Sequence, residues 1–539
     1  VFKIREGVKF HEGQDLTASD VAYSFQRGVL QGGGFSQQWL YTEALFGSDI
    51  YDVACLVDDN ECAVEDDPEA LQAVDAETLM AICEQTTSSI VADDAAGTVT
   101  FNLAQPWAPL LATMAGSWGS IIDSDWAAEN GAWDGDCATW QNFYGITSGT
   151  GPLQTIANGT GPFQLDHWTP GEETVLVANE NYWISEPLYE GGPSGPPALD
   201  RIVRLSVDEW GTRFAMMQAG DLDWVQVPVA NRVQIDPLVA EICYFEDWGV
   251  YNCEATGNAG ASLRMYRDTP GTSRTDAFFV YNIANEGGGN PYIGSGELDG
   301  YGIPADFFTD EHMRKAFNYC FDHDTFISEV YQGEAVQNIG PINQGLLGYN
   351  PDGPFYSYDP EMCAAELEQA WGGEVWEKGF RMQIGFNTGN TTRQTVAQIL
   401  QANFGDIDPK FQVEIIGLPW PSFLAAVRAS QLPIFISGWG EDIHDAHNWA
   451  QPFLVGTYAA RQKLPEEVST RFGDLVSAGV AGTTDAEREA VYFDIGQADY
   501  DEALAIRLPV GTARYYVQPW VTKFLINPAW YEPYYFYAK

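Results

Sequence analysis

The sequence is poor in basic residues. Only 26 of its 539 residues are Lys or Arg, eight of them lysines, against 76 Asp and Glu, for a formal net charge of −50. A surface of that sign repels nucleic-acid phosphates and anionic membrane, so neither is an expected partner. No run of about 18 apolar residues occurs, which excludes a recognisable transmembrane helix. No secretory leader is visible. The segment Val1–Arg5 reads as the middle of a strand, and the expectation is that a further N-terminal segment precedes it. Catalytic signatures are missing too. There is no G-x-S-x-G elbow, no Walker A loop and no H-E-x-x-H, since His11-Glu12 is followed by Gly13-Gln14-Asp15. The six histidines form no triad pattern. Carboxylates are so abundant that no pair stands out as a glycosidase-like couple. The chain reads as a non-enzyme without a cofactor.

What is present begins with eight cysteines. They contain no C-x-x-C pair, which argues against a zinc ribbon or a thioredoxin-like motif. An even number suits disulfides in an oxidising compartment. Cys55 and Cys62 lie close in sequence, as do Cys243 and Cys253, and Cys83–Cys137 and Cys320–Cys363 complete a set. Spacing does not determine connectivity, and eight reduced, buried cysteines are the alternative. Aromatic residues make up 14% of the chain, with 18 Trp and 26 Tyr, which suits stacking on a ligand as well as a large core.

Strand, turn and helix signals alternate, so the fold class is α/β. The length suggests about three structural units. Thr17-Ala18-Ser19-Asp20 reads as a capping box, opening a helix with Val21 and Phe25 on one face. Residues 50–98, with Asp58-Asp59-Asn60-Glu61 and Glu65-Asp66-Asp67, look like an acidic surface insertion without the EF-hand pattern of a calcium loop. Val99–Leu103 alternates like a strand. Residues 141–160, 190–197 and 285–304 read as loops. One helix is expected over 311–332, with Met313, Ala316, Phe317, Cys320 and Phe321 at helical spacing and Gly333 as its cap. Another follows Asn387–Asn390, with Val396, Ile399 and Leu400 apolar. His444 and His447 could face one metal, but a polar loop in an acidic chain is the plainer reading, and no metal site is assigned.

Six segments, in order, resemble the bacterial extracellular solute-binding proteins of the peptide, dipeptide and nickel type. They are Phe2–Gly13 with Leu16–Ser24, then Thr160–Phe163, Asn179–Trp183, Gln218–Asp223, Arg314–Asp324 and Gly438–Asp442. The resemblance implies a two-lobed periplasmic-binding-protein-like fold, of class II and the large cluster with an extra domain. Residues 1–158 would be the extra α/β domain, 159–275 the first lobe, 276–510 the second, and 511–539 the return to the first.

The resemblance also implies the function: capture of a solute between two lobes and delivery to the membrane subunits of an ATP-binding-cassette importer. The protein would be extracytoplasmic, in the periplasm or on the outer surface, and touch the membrane only through an N-terminal lipid anchor outside this sequence. In peptide-binding members the Asp of the G-W-x-x-D loop pairs with the peptide's α-amino group, and Asp442 matches it. Trp439 and Glu441 belong to the same loop, and Trp420 matches a preceding aromatic. These four are the candidate ligand-binding residues. Arg428 lies one residue out of register with a carboxylate-binding Arg of some members and is not relied on. A peptide is the expected ligand. An oligosaccharide is the alternative, and a surface adhesion or assembly protein on the same scaffold is a third reading.

Overall fold

The computed structural model describes residues 1–33, 38–47, 50–58, 62, 64, 67–146, 150–528 and 533–539. Acidic side chains start many of its helices. Asp52, Asp67, Asp75, Asp123, Glu209, Asp310, Asp322 and Asp359 each accept a hydrogen bond from a backbone N–H of the first turn that follows. A carboxylate there satisfies an orphan donor and complements the positive helix end. Part of the acidic composition is therefore local architecture.

The chain divides into two compact units, Val1–Tyr266 with Tyr515–Lys539, and Arg267–Arg514. The first unit opens with β1 (Phe2–Lys3), which pairs with β3 (Thr98–Phe101), itself paired with β2 (Ile90–Asp93). Helix α1 (Ala18–Gln31) carries the expected capping box between Thr17 and Asp20, with Val21 and Phe25 buried. Helix α2 (Ala76–Ser89) corrects the reading of 50–98 as a surface insertion. Val53, Ala54, Leu71, Leu79 and Ile82 pack with Tyr23, Trp133 and Trp140 in one core. The acids there cap helices whose apolar faces turn inward. The runs Asp59–Glu61 and Glu65-Asp66 lie outside the described residues.

A second sheet of this unit has the order β4–β5–β6 (Phe163–Thr169, Glu173–Ala178, Arg201–Leu205). After it come α3 (Trp210–Ala219), β7 (Trp224–Val225), β8 (Val239–Asp247), β9 (Val250–Ala255) and β10 (Leu263–Thr269). The stretch 190–197 is irregular, as expected.

The second unit is built on a sheet of order β14–β13–β15–β11–β16. Its strands are β11 (Ser273–Phe279), β13 (Phe380–Asn387), β14 (Phe411–Leu418), β15 (Ile434–Gly440) and β16 (Ala505–Ile506), and a small pair is formed by β12 (Ala335–Val336) and β17 (Val510–Gly511). β13 is parallel to β14 and β15, while β11 runs antiparallel to β15. Strands covered on both faces tolerate uninterrupted apolar runs, and Ile434-Phe435-Ile436 is fully buried. The core is aromatic: Phe278 stacks on Phe435 and Tyr458 at ring separations of 5.0 and 4.8 Å. β18 (Ala513–Val517) then joins the first unit's third sheet, ordered β7–β18–β10–β8–β9.

The single helix expected over 311–332 is two helices, α4 (Glu311–Tyr319) and α5 (His323–Tyr331). The break has two local causes. Asp322 takes an extended conformation and caps α5 through the Thr325 N–H at 2.9 Å. Cys320, at the end of α4, is bonded to Cys363 on α6 (Pro360–Gln369). Gln332, left-handed at φ 54°, ends α5 just before Gly333. Downstream lie α7 (Thr391–Ile407), α8 (Trp420–Arg428), α9 (His447–Leu454), α10 (Thr457–Gln462), α11 (Glu466–Ala481) and α12 (Asp485–Glu502). Val396, Ile399 and Leu400 of α7 are buried as their spacing implied. Among the described residues no helix is long and apolar enough to cross a membrane.

All eight cysteines are disulfide-bonded, as Cys55–Cys62, Cys83–Cys137, Cys243–Cys253 and Cys320–Cys363. Cys83–Cys137 spans 54 residues and ties α2 to the segment carrying Trp133 and Trp140. Closing a loop of that length contributes about 4 kcal/mol. The double variant Cys83→Ala/Cys137→Ala should lose stability of that order in a denaturant titration, and an unchanged midpoint would contradict the role.

His323 is buried beside Phe321, and burial pulls its pKa from 6.5 down to about 4, with Asp322 opposing. The folded chain thus keeps this imidazole neutral where the unfolded chain protonates it. Its contribution is complete above pH 6.5 and is lost as pH falls toward 4, in total about 3 kcal/mol. His323→Gln should flatten the stability–pH curve between pH 6.5 and 4.5, and an unaltered slope would refute this.

Candidate functional site

The three parallel strands β14, β13 and β15 lie side by side and end at one edge. Their carboxyl ends lead into Pro419–Trp420, Asn387–Asn390 and Trp439–Asp442 respectively. In an open α/β sheet this edge is where ligands bind, because loops there leave the sheet while the strands hold their bases rigid.

The loop after β15 is held from both sides by buried groups. Glu441 is 5% exposed, and its two oxygens accept from Trp449 Nε1 at 3.1 Å and meet His444 Nδ1 at 2.8 Å. Asp445 forms a fork with Arg488, at 2.9 and 2.7 Å, and also accepts from the His447 N–H. Burial alone would lower the Arg488 pKa, but the Asp445 carboxylate outweighs it and raises it. Behind the loop, Arg274, opposite Trp439 in the β11–β15 register, lies under the Trp449 ring at 4.9 Å and pairs with Asp276. Asp276 also takes Arg507, which Asp499 holds from the other side.

Asn448 links the loop to α9. Its Oδ1 accepts from Trp439 Nε1 at 3.2 Å and from the Asp442 N–H at 3.1 Å, while its Nδ2 donates to Asp442 Oδ2 at 3.3 Å. One amide thereby orients the indole and the carboxylate together. Both side chains remain part-exposed. The Trp439 ring meets Tyr458 edge-on at 6.0 Å, and the Tyr458 hydroxyl donates to the Gly438 carbonyl at 2.7 Å.

Two strands away, Trp420 opens α8 and is 49% exposed. Beneath its ring lies the guanidinium of Arg393, 5.6 Å from the Trp420 centroid and 5.3 Å from that of Phe423. Arg393 Nη1 donates to Asn387 Oδ1 at 2.7 Å, and burial lowers its pKa.

The structure thus brings all four sequence candidates to one edge of one sheet. Trp439 and Asp442 are part-exposed there and Trp420 is exposed. Glu441 is buried with both oxygens engaged, which makes it a support of the loop. The sequence reading missed Arg393, Asn448 and Tyr458. Arg393 had a signal, a basic residue in the first turn of a helix that has no acid there; Asn448 and Tyr458 had none. His444 bonds Glu441 and His447 is buried, and among the described residues the two belong to no group with metal-ligand geometry. Among the described residues the one cluster with metal-ligand geometry is Glu241, Cys243 and Cys253, whose cysteines are bonded to each other.

The family model described as "Bacterial extracellular solute-binding proteins, family 5 Middle" matches residues 1–460. The chain is 22% identical over 549 aligned positions to the dipeptide-binding protein of Escherichia coli, covering 98% of this chain and 81% of that protein. It is 23% identical over 382 positions to heme-binding protein A of Haemophilus influenzae, covering 70% of this chain but only 59% of that protein. Among solved structures, the periplasmic binding protein DppA of Helicobacter pylori in complex with the peptide STSA superposes with a TM-score of 0.61 at 20% identity, covering 100% of this chain and 85% of that one. NikA of Brucella suis in complex with Fe(III)-EDTA gives 0.64 at 17%, covering 100% and 87%. These structures share the fold, which is α/β and of the two-lobed periplasmic-binding-protein type.

Removing one partner of a buried ion pair strands the other charge, at about 3–5 kcal/mol. Arg488→Met should therefore destabilise the chain by that order, and Asp445→Leu added to it should restore most of the loss. Denaturant titration of both variants checks this; equal destabilisation in single and double variants is the contrary result.

Proposed function

The chain belongs to the bacterial extracellular solute-binding proteins of family 5, and from that premise we propose that it captures an oligopeptide outside the cytoplasm and hands it to the membrane subunits of an ATP-binding-cassette importer. In this reading residues 1–158 are the extra domain, 159–275 with 511–539 the first lobe and 276–510 the second. The protein is retained at the membrane by a lipid anchor. Capture needs no bond chemistry: the ligand binds one conformation better than another and shifts the equilibrium toward it. The family is one of binding proteins, and no residue here is assigned a catalytic role.

The observation that carries the peptide reading is Asp442. Its carboxylate stands at the ligand-binding edge of the sheet, part-buried and oriented by Asn448. A fixed, part-buried carboxylate favours a cationic group over a neutral one, because a hydrogen bond between two charged groups is stronger than one with a neutral donor. The α-amino group of a peptide supplies such a cation. Trp439, held by the same Asn448, forms a wall for the first side chain, and Glu441 supports the loop from behind. The DppA relative, solved with a peptide, supports this choice of ligand class. Trp420 favours a second reading, since an exposed indole face also suits a sugar ring.

Thermal unfolding of the full chain with trialanine, N-acetyl-trialanine and maltotriose distinguishes the two, as a ligand raises Tm by mass action. Trialanine should raise Tm, and acetylation or Asp442→Ala should weaken its binding at least tenfold. Stabilisation by maltotriose alone, indifferent to Asp442→Ala, would refute the peptide reading.

A further inference from the structure

The second unit holds a cavity of about 20 Å³ that shares no residue with the candidate ligand-binding set. Five of the side chains around it, Asn318, His323, Asn338, Asp499 and Arg507, are polar or charged, and each is less than one-tenth exposed. They come from α4, α5, the segment after β12, α12 and the segment after β16. Polar groups buried in this way are ordinarily paired within the chain. Around this cavity the pairing is incomplete. His323 Nδ1 has no hydrogen-bond partner among the described residues. Arg507 gives three N–H groups to Asp499 and Asp276, and since a guanidinium carries five, two remain. Asn318 spends its amide nitrogen on the Arg314 carbonyl at 3.0 Å, which leaves its Oδ1 as an acceptor. Asn338 likewise donates to the Gly340 and Ile342 carbonyls.

Size and charge narrow what completes these groups. A water molecule needs about 10–15 Å³ of such space. The cavity therefore takes one water and excludes an organic solute. The charges that line it cancel. Arg507 is matched by Asp499, in a run that continues through Asp276 to Arg274, two cations and two anions in all. Burial holds the His323 imidazole neutral. An ion added there would be buried without a counter-charge, at a cost that nothing in the lining offsets. The occupant is thus uncharged. It must also accept and donate at once, because Arg507 offers only donors and the Asn318 oxygen only an acceptor. Water does both, and it meets either neutral tautomer of His323.

We propose that this cavity is a binding site for one water molecule, which joins His323 and Asn318 to the Arg507–Asp499 pair. The water ends the run of buried ion pairs that passes from Asp499 through Arg507 and Asp276 to Arg274, under the Trp449 ring and behind the loop that carries Trp439 and Asp442. It thereby ties the first turn of α5 to the support of that loop. The site is independent of which solute the chain captures.

A crystal structure of the full chain soaked in rubidium bromide tests this. One density peak should stand within about 2.7–3.2 Å of His323 Nδ1 and of an Arg507 nitrogen, with no anomalous signal from either ion. An anomalous rubidium or bromide peak in the cavity overturns the proposal, and so does a cavity without density. In solution, oxygen-17 relaxation dispersion should count one long-lived water fewer in His323→Phe, whose ring fills more of the space and offers no nitrogen. An unchanged count in that variant, correctly folded, is a further contrary result. Should His323→Phe not fold, the crystal structure of the unaltered chain decides alone.

Discussion

The carboxyl edge of the second unit's parallel strands, the proposed ligand site, depends on how its buried carboxylates are neutralised. Glu441 and Asp445 flank Asp442 in sequence and face inward, one onto Trp449 and His444, the other onto the fork of Arg488. Each is buried at a cost met by its partners. Between these two anchored points the chain has little freedom, so Asp442 and Trp439 are presented in one geometry, with Asn448 closing the arrangement. Pre-organisation of this kind lets a binding site spend less of its interaction energy on ordering itself. The Arg274–Asp276–Arg507–Asp499 chain continues the same logic into the core, joining β11 to α12.

The extreme charge of the chain takes on a different meaning when its acids are placed. Many are helix starters, and others are the buried partners of arginines. The remainder cover a surface that repels anions at long range.

The sequence was most legible where the signal was local or carried by a motif. Thr17 and Asp20 form their capping box because both partners lie within one turn. The loop from Gly438 to Asp442 could be singled out because it resembles the family's G-W-x-x-D loop, while the cysteine spacing favoured the four pairs of the structure without determining them. Legibility failed where tertiary context decided. The apolar spacing of 311–332 is continuous, and only the turn at Asp322 and the Cys320 bond divide it. The acids of 50–98 do face solvent for the most part, and what their density masked is the apolar set Val53, Leu71, Leu79 and Ile82, whose burial depends on partners such as Trp133 and Trp140 distant in sequence. Asn448 and Tyr458 were missed because what distinguishes them is which groups lie around them in space.

Capture of a solute is the central claim, and native mass spectrometry of the purified full chain, followed by release of bound material on unfolding, addresses it most directly. The account predicts a one-to-one adduct of peptide mass that dissociates when the chain is unfolded and carries both a free amine and a carboxylate. A chain that retains no solute from a peptide-rich extract, and takes up none when a peptide pool is added back, would contradict it.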